Sequence, residues 1–363
     1  MHPREEDAPG AQPAIKTLRL VADANDPDSR GSRDSIARAA EILRAGGIVA
    51  FPTETVYGLG ANALDAAAVA KIFEAKQRPS WDPLIVHVAD TAAVSQIAEH
   101  IPDNARRLMD VFWPGPLTLL LPKHPRVPEI VTAGLPRVGL RMPAHPVAHA
   151  LLLAAAVPLA APSANLFGRT SPTRADHVAE DLDGRIDAIL DGGETTHGVE
   201  STVVAVREDG CRVYRPGVIT LEQIRAVCVG DVSLQKAGVP GDEPAESPGL
   251  SLRHYAPRAR LVLVDGEGEA QKKSFGEAAR LCEEQGESVG LMLPDAFQTA
   301  VIGRAARVYR WGKWTDQEEL AQRLFAGLRW LDADGATVVV CPVPAGPGIA
   351  VAIRDRLVKA ARQ

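Results

Sequence analysis

Thr53 and Thr55, two hydroxyls separated by one residue in FPTETVYGLGANA (51–63), directly follow an apolar, strand-like run, GGIVA. If the chain stays extended, alternation puts Phe51, Thr53 and Thr55 on one face and Glu54 on the other. Threonine is a good strand former, so a strand end turning polar at solvent accounts for the pattern without a function. The same pattern also puts two hydroxyls where open α/β sheets hold their ligands. Polar groups close other apolar runs in the same way: Lys76 and Arg78 in KQRP, His87 in PLIVHV, Arg141 after VGL, and Ser163 and Asn165 in APSAN. Ser171 in GRTSPT, Ser201 in GVEST and Arg215 in YRPG extend the series. Each has a plain structural account when taken singly. Cations at a helix C-terminus complement its dipole, and a lone histidine in an apolar strand is more often a core residue than a ligand. Together, hydroxyls and cations at element ends suit a polyanion plus a small zwitterion. No activated nucleophile is evident, so the set supports positioning and charge neutralisation, as in phosphoryl and nucleotidyl transfer.

Several other chemistries lack their residues. There is no GxxxxGK[ST] loop and no GxSxG elbow. His145 and His149 in HPVAH have i, i+4 spacing but not the glutamate of a zincin, and Pro146 marks a helix start. AGPGIAV is glycine-rich without GxGxxG and reads as turn chemistry. The sequence predicts no protein metal site.

The elements that must position these groups are spread over 363 residues, more than one core usually organises, so two domains are expected. Apolar content of 46% and charged content of 24% fit an ordinary soluble globular protein. A net charge of −6 disfavours non-specific nucleic-acid binding but leaves a local basic cleft open. The longest apolar run, 150–162, is broken by Pro158 and too short to span a bilayer. MHPREEDAPGAQPA lacks the basic and apolar regions of a signal peptide, and residues 1–14 read as a disordered lead-in. Cys211, Cys228, Cys282 and Cys341 are scattered without CxxC spacing, which suits a reducing cytoplasm and argues against a disulfide framework.

Residues 15–225 mix strands and helices without strict alternation, as in an α/β domain. Composition shifts to Gly, Pro, Ser and acidic residues in VPGDEPAESPGLSLRHYAP, so 226–258 reads as a linker. From 259 to 363 a βαβαβ rhythm returns, with helices expected at 270–285, 316–332 and the C-terminus, as in a smaller doubly wound domain.

FPTETVYGLGANA, KQRP…PLIVHV, WPGPLTLLL, VGLRMPAHP, APSANLFGRTSPT, GVESTVV and RPG occur in the order found in YrdC-type threonylcarbamoyl-AMP synthases. SPGLSLRHYAP resembles the linker of that family's long form. The resemblance covers nearly the whole chain after the N-terminal tail. It implies a YrdC-like α/β domain with a twisted mixed sheet, followed by a Rossmann-like C-terminal domain. It further implies condensation of L-threonine, bicarbonate and ATP into threonylcarbamoyl-adenylate with release of pyrophosphate, and Mg²⁺ alongside the nucleotide. The product would pass to the machinery that modifies the tRNA adenosine beside the anticodon; contact with tRNA or another RNA is left open, and no membrane is involved. Carried over by position, Thr55, His87, Arg141, Ala161 (through its backbone) and Ser201 would hold threonine. Arg78, Asp82, Arg137, Ser163, Asn165, Ser171, Arg215 and Tyr255 would surround ATP, with Lys76 and Arg78 as the catalytic cations. Family members often carry Asn where this chain has Asp82, and a carboxylate beside a triphosphate needs a cation or a hydrogen-bond donor. Two other readings are weighed: an RNA-binding module without ATP turnover, and a carbamoyltransferase using carbamoyl phosphate. The first lacks an aromatic-basic RNA motif. The second lacks the zinc-finger cysteines and acylphosphatase-like segment of its relatives.

Overall fold

The computed structural model describes residues 16–207, 209–235, 254–300 and 307–362. The predicted lead-in at 1–14 and the linker stretch at 236–253 lie outside the described residues.

Strand β1 (Leu18–Val21) leads to helix α1 (Arg30–Arg44), which Ser29 caps by accepting from the Ser32 amide. This helix buries Ile36, Ala39, Ala40 and Leu43, the i, i+3, i+4, i+7 stripe that faces a core. GGIVA becomes β2 (Val49–Phe51), and β3 (Gly58–Asn62) returns antiparallel to it. Helix α2 (Ala66–Lys76) is capped by Asp65 and stopped by Gln77 at φ +52°. The chain continues through β4 (Ile85–His87), α3 (Asp103–Phe112), β5 (Leu117–Pro122), α4 (Glu129–Thr132) and β6 (Arg137–Arg141). Next come α5 (Pro146–Ala155), with proline opening its first turn, β7 (Leu159–Ala160), α6 (Ala175–Leu182) and β8 (Ala188–Asp191). An antiparallel pair follows, β9 (Thr202–Arg207) and β10 (Gly210–Arg215).

Helix α7 (Leu221–Val227) carries a capping box of Thr220 and Gln223, and β11 (Asp231–Leu234) pairs in parallel with β10. Regular structure thus enters the 226–258 stretch, because Val232 gains burial opposite Cys211 across the β10–β11 register. The eleven strands form one mixed sheet in the order β1-β8-β2-β3-β7-β4-β6-β5-β9-β10-β11. Cys211 and Cys228, distant in sequence, bring their Sγ atoms to 2.7 Å as free thiols.

The second unit comprises β12 (Arg260–Val264), α8 (Gly268–Glu284), β13 (Val289–Pro294), β14 (Arg307–Gly312), α9 (Gln317–Ala333), β15 (Val338–Pro342) and α10 (Ile349–Ala361). Its sheet, β12-β15-β13-β14, is wholly parallel. Val338 and Val340 pack with Phe275 of α8, while Val339 and Cys341 pack with Leu324 and Ile353 of α9 and α10. Burial on both faces explains why TVVVCPVP is apolar without alternation.

The two units share a core. Val56 and Val199 of the first join Tyr255, Leu324, Phe325 and Ile353 in one apolar cluster. Gly198, at φ +69°, lets α9 come close: a Cβ there would lie 2.5 Å from the Gln322 Cα. No helix among the described residues is long and apolar enough to cross a membrane.

Candidate functional site

Beyond β2 the chain does not stay extended. The Thr53 hydroxyl accepts from the amides of Thr55 (3.2 Å) and Val56 (3.3 Å) and donates to the Val56 carbonyl (2.7 Å). These bonds fold 53–56 into a bend, and Thr53, Glu54 and Thr55 are all buried. The expected alternation fails because the side-chain oxygen satisfies backbone groups that a strand would leave for a neighbour.

The bend meets the end of β6. Arg141 donates from Nη1 to Thr55 Oγ1 (2.8 Å) and from Nε to the Gly115 carbonyl (3.3 Å), and its Nη2 lies 2.6 Å from Glu54 Oε1. Burial alone would raise the Glu54 carboxyl, but the charge and hydrogen bond of Arg141 outweigh it and hold the pKa below its ordinary value. His87 stands opposite Arg141 across the β4–β6 register and meets Phe51 edge-on at 6.0 Å. Burial first, and Arg141 second, push its pKa down to about 3. The ring is therefore neutral near pH 7 and too weak a base to take an ammonium proton.

Cations and hydroxyls continue from there. Arg215, at the end of β10, donates from Nε to the Ser201 carbonyl (3.1 Å) and from Nη2 to Ser201 Oγ (3.1 Å). Ser201 Oγ also lies 2.8 Å from Thr118 Oγ1. Arg78 follows the αL residue Gln77 and turns inward. Its guanidinium donates to the Asp82 and Pro83 carbonyls and pairs with Asp82 Oδ2 at 3.0 Å. Burial raises the Asp82 carboxyl against the pull of Arg78, Lys76 and Arg215. Asp82 is thus the buried partner of Arg78, which supplies the compensation that a carboxylate in this position requires.

Thr55, Arg78, His87, Arg141, Ala161, Ser163, Ser201, Arg215 and Tyr255 line one cavity of about 50 Å³. His254 and Glu200 line it too, and His254 is held well below its ordinary pKa by burial and by Arg78. Tyr255 takes φ +65°, a conformation non-glycine residues rarely adopt outside functional or over-determined positions.

Other expected residues stand behind this wall. Lys76, fully buried, donates its ammonium to the carbonyls of Ser163 and Asn165, each at 2.5 Å. Its charge is spent fixing the APSAN turn, and burial lowers its pKa well below the usual lysine value. Asn165 Nδ2 donates to the Leu166 (2.7 Å) and Arg169 (2.9 Å) carbonyls, and Ser171 Oγ donates to Glu200 Oε1 (2.5 Å). Arg137 begins β6, four residues and so roughly 13 Å along the strand from Arg141. It does not line the cavity.

Sequence reasoning missed Glu54, Glu200, His254 and Arg356. The first three lie inside PTET, GVEST and RHYAP, motifs that were singled out for their other members. Arg356 is one cation among several on the C-terminal helix, with no local signal. A larger cavity of about 770 Å³ contains none of the residues singled out from sequence. Its Arg169, Arg258 and Arg329 are matched by Glu180, Asp181 and Asp332, leaving no net positive charge for a polyanion.

The chain is similar to known proteins along nearly its whole length. A family model for Sua5, YciO and YrdC, described as telomere recombination, matches residues 41–217. A second, described as threonylcarbamoyl-AMP synthase, C-terminal domain, matches residues 219–362. A threonylcarbamoyl-AMP synthase of Bacillus subtilis is 44% identical over 348 residues, spanning 96% of this chain and 98% of its own length. One from Pyrococcus abyssi is 44% identical over 324 residues, spanning 89% of this chain and 92% of its own. The solved structure of P. abyssi Sua5 complexed with L-threonine superposes with a TM-score of 0.88 at 42% identity, over 95% of this chain and 98% of that one.

Proposed function

The chain belongs to the threonylcarbamoyl-AMP synthases in their long, two-domain Sua5 form, and from that premise we propose that its cavity condenses L-threonine, bicarbonate and ATP into L-threonylcarbamoyl-AMP, releasing pyrophosphate. The observation that carries this reading is the joining of two unlike groups of residues in one cavity. Thr55, His87 and Arg141 form a polar group on its wall, and Arg78, Ser163 and Arg215 form a cationic, hydroxyl-bearing one.

In this reading the free threonine amine adds CO₂ with loss of a proton, or condenses with bicarbonate with loss of water, to give a carbamate, whose oxygen attacks the α-phosphorus in line as its bond to the departing pyrophosphate breaks. Arg141 receives the carboxylate through its forked donors. Thr55, Ser201 and the neutral His87 ring place the remaining polar groups, beside the Ala161 backbone. Arg78 and Arg215 offset the charge that develops towards pyrophosphate. Lys76 acts from behind, by holding the turn that presents Ser163.

The described side chains offer Mg²⁺ no ligand set of their own. Among the described residues no cluster of three metal-binding side chains exists, and Asp82 and Glu200 are paired with Arg78 and Arg356. The ion would arrive on the ATP phosphates, as Mg²⁺ usually does. The cavity's 50 Å³ falls below the roughly 300–1,000 Å³ of small-molecule sites. ATP therefore enters when His254 and Tyr255 withdraw, and their return excludes water from the labile adenylate. The product passes to a cytoplasmic transfer machinery acting on tRNA. Neither an RNA-binding module nor a carbamoyl-phosphate enzyme accounts for relatives that match along nearly the whole chain as synthases.

The test is pyrophosphate release from ATP, with and without threonine and bicarbonate. Release that depends on both is expected. Release that ignores threonine, or turnover of carbamoyl phosphate instead, would overturn the assignment.

A further inference from the structure

Arg356 lies on α10 of the C-terminal unit, yet its guanidinium is 0% exposed and reaches the first unit. Nε donates to Glu200 Oε2 at 2.7 Å and Nη2 to the Pro216 carbonyl at 3.0 Å, while Nη1 meets Asp355 on its own helix at 2.5 Å. The guanidinium also sits 5.1 Å from the centre of the Tyr255 ring, whose other contacts include a stacked Phe325 of α9 at 5.6 Å. Glu200 lines the cavity, and its second oxygen accepts from Ser171 Oγ. One side chain thus ties a cavity carboxylate, the carbonyl of Pro216 next to Arg215, and the strained Tyr255 into a single arrangement.

An unpaired Glu200 here would oppose a triphosphate, and its loss of a partner would leave a buried charge uncompensated. We infer that Arg356 is a positioning residue for the nucleotide half of the site: it neutralises Glu200, sets Ser171 through it, and holds Tyr255 at the cavity wall. The C-terminal unit thereby completes the ATP end of a site built mainly by the first unit. This rests on the synthase reading for the identity of the nucleotide, and the closing experiment separates the two.

The full-length protein is compared with R356K, R356M and the double variant R356M/E200Q. Pyrophosphate release is followed with ATP varied at saturating threonine and bicarbonate. ATP and threonine binding are each measured by equilibrium titration, and near-ultraviolet circular dichroism checks the tertiary structure. R356M is expected to raise the KM and the dissociation constant for ATP on the order of 10–100-fold, the scale set by misplaced groups. Threonine affinity should stay within about twofold, because Arg141 and Thr55 are untouched. R356K should recover part of the loss by restoring charge without the fork. R356M/E200Q should bind ATP better than R356M, since the uncompensated charge is gone. Unchanged ATP binding in R356M, equal losses for ATP and threonine, or a double variant no better than the single one would each overturn the inference. A wild-type protein that binds ATP but shows no threonine-dependent turnover would sink the synthase reading, while the ATP titrations still decide the role of Arg356.

Discussion

Glu54 Oε1 lies 2.6 Å from Arg141 Nη2 with both side chains almost fully buried, 86 residues of chain separating Arg141 from the adjoining Thr55. Arg141 lines the cavity, and the pair fixes its guanidinium there. Truncation in Glu54→Ala strands a buried guanidinium, which should cost about 3–5 kcal/mol of stability. Glu54→Gln keeps a hydrogen-bond acceptor and should cost less. Urea unfolding of the two variants checks the ranking; equal stability of Glu54→Ala and the parent protein would show the pair to be incidental.

Arg78 and Asp82 form the second buried pair of the site. Complementing the α2 dipole does not account for Arg78, which lies past the αL cap with a side chain 3% exposed. Arg78→Ala should therefore lower stability by about 3–5 kcal/mol as well as weaken ATP use by about 2–4 kcal/mol. Asp82→Asn, which keeps an oxygen for Arg78, should retain most pyrophosphate release. Loss of activity in Asp82→Asn comparable to Arg78→Ala would assign the carboxylate a direct task.

Gly198 of the first unit lies close against the α9 backbone. A methyl group there meets Gln322 backbone atoms at 2.5 Å and also requires φ +69° of a residue with a Cβ. Gly198→Ala should loosen the docking of the two units, seen as faster proteolysis between them and a lower thermal midpoint. A variant as resistant as the parent would show that the interface adjusts without cost.

Acid should destabilise the fold through its histidines. Burial, assisted by nearby arginines, pushes His87 and His177 down to about 3, against about 6.5 in the unfolded chain. Between these values the unfolded state binds the protons and the folded state does not. Stability is thus full above about pH 6.5 and falls as the pH drops, by about 1.4 kcal/mol per pH unit for each group. His145, His197 and His254 shift in the same direction and add to the slope. His177→Gln removes one contribution, so urea unfolding at pH 7, 6 and 5 should show a shallower decline than in the parent. Identical declines would remove His177 from this account.

Much of this protein follows from its sequence alone. Buried parallel strands are apolar on both faces, amphipathic helices repeat every 3.6 residues, and caps such as Asp65 and Thr220 sit beside their own helices. These are local signals, so the two α/β units, their helices and the polar strand ends are legible without a structure. The ordered motifs likewise carry Thr55, Arg78, His87, Arg141, Ser163, Ser201 and Arg215, which do meet in one cavity.

What only the tertiary structure decided is which charge meets which. A buried charge takes its partner from whatever segment packs against it, and that segment has no fixed spacing in sequence. Arg356 reaches Glu200 across 156 residues, and Lys76 reaches the carbonyls of Ser163 and Asn165 across 87 and 89. β11 lies inside the 226–258 stretch that reads as a linker, and a single hydroxyl turned the predicted extension after Phe51 into a bend. Periodicity reports which face of an element is buried; it contains no term for the partner waiting on the other side of the contact.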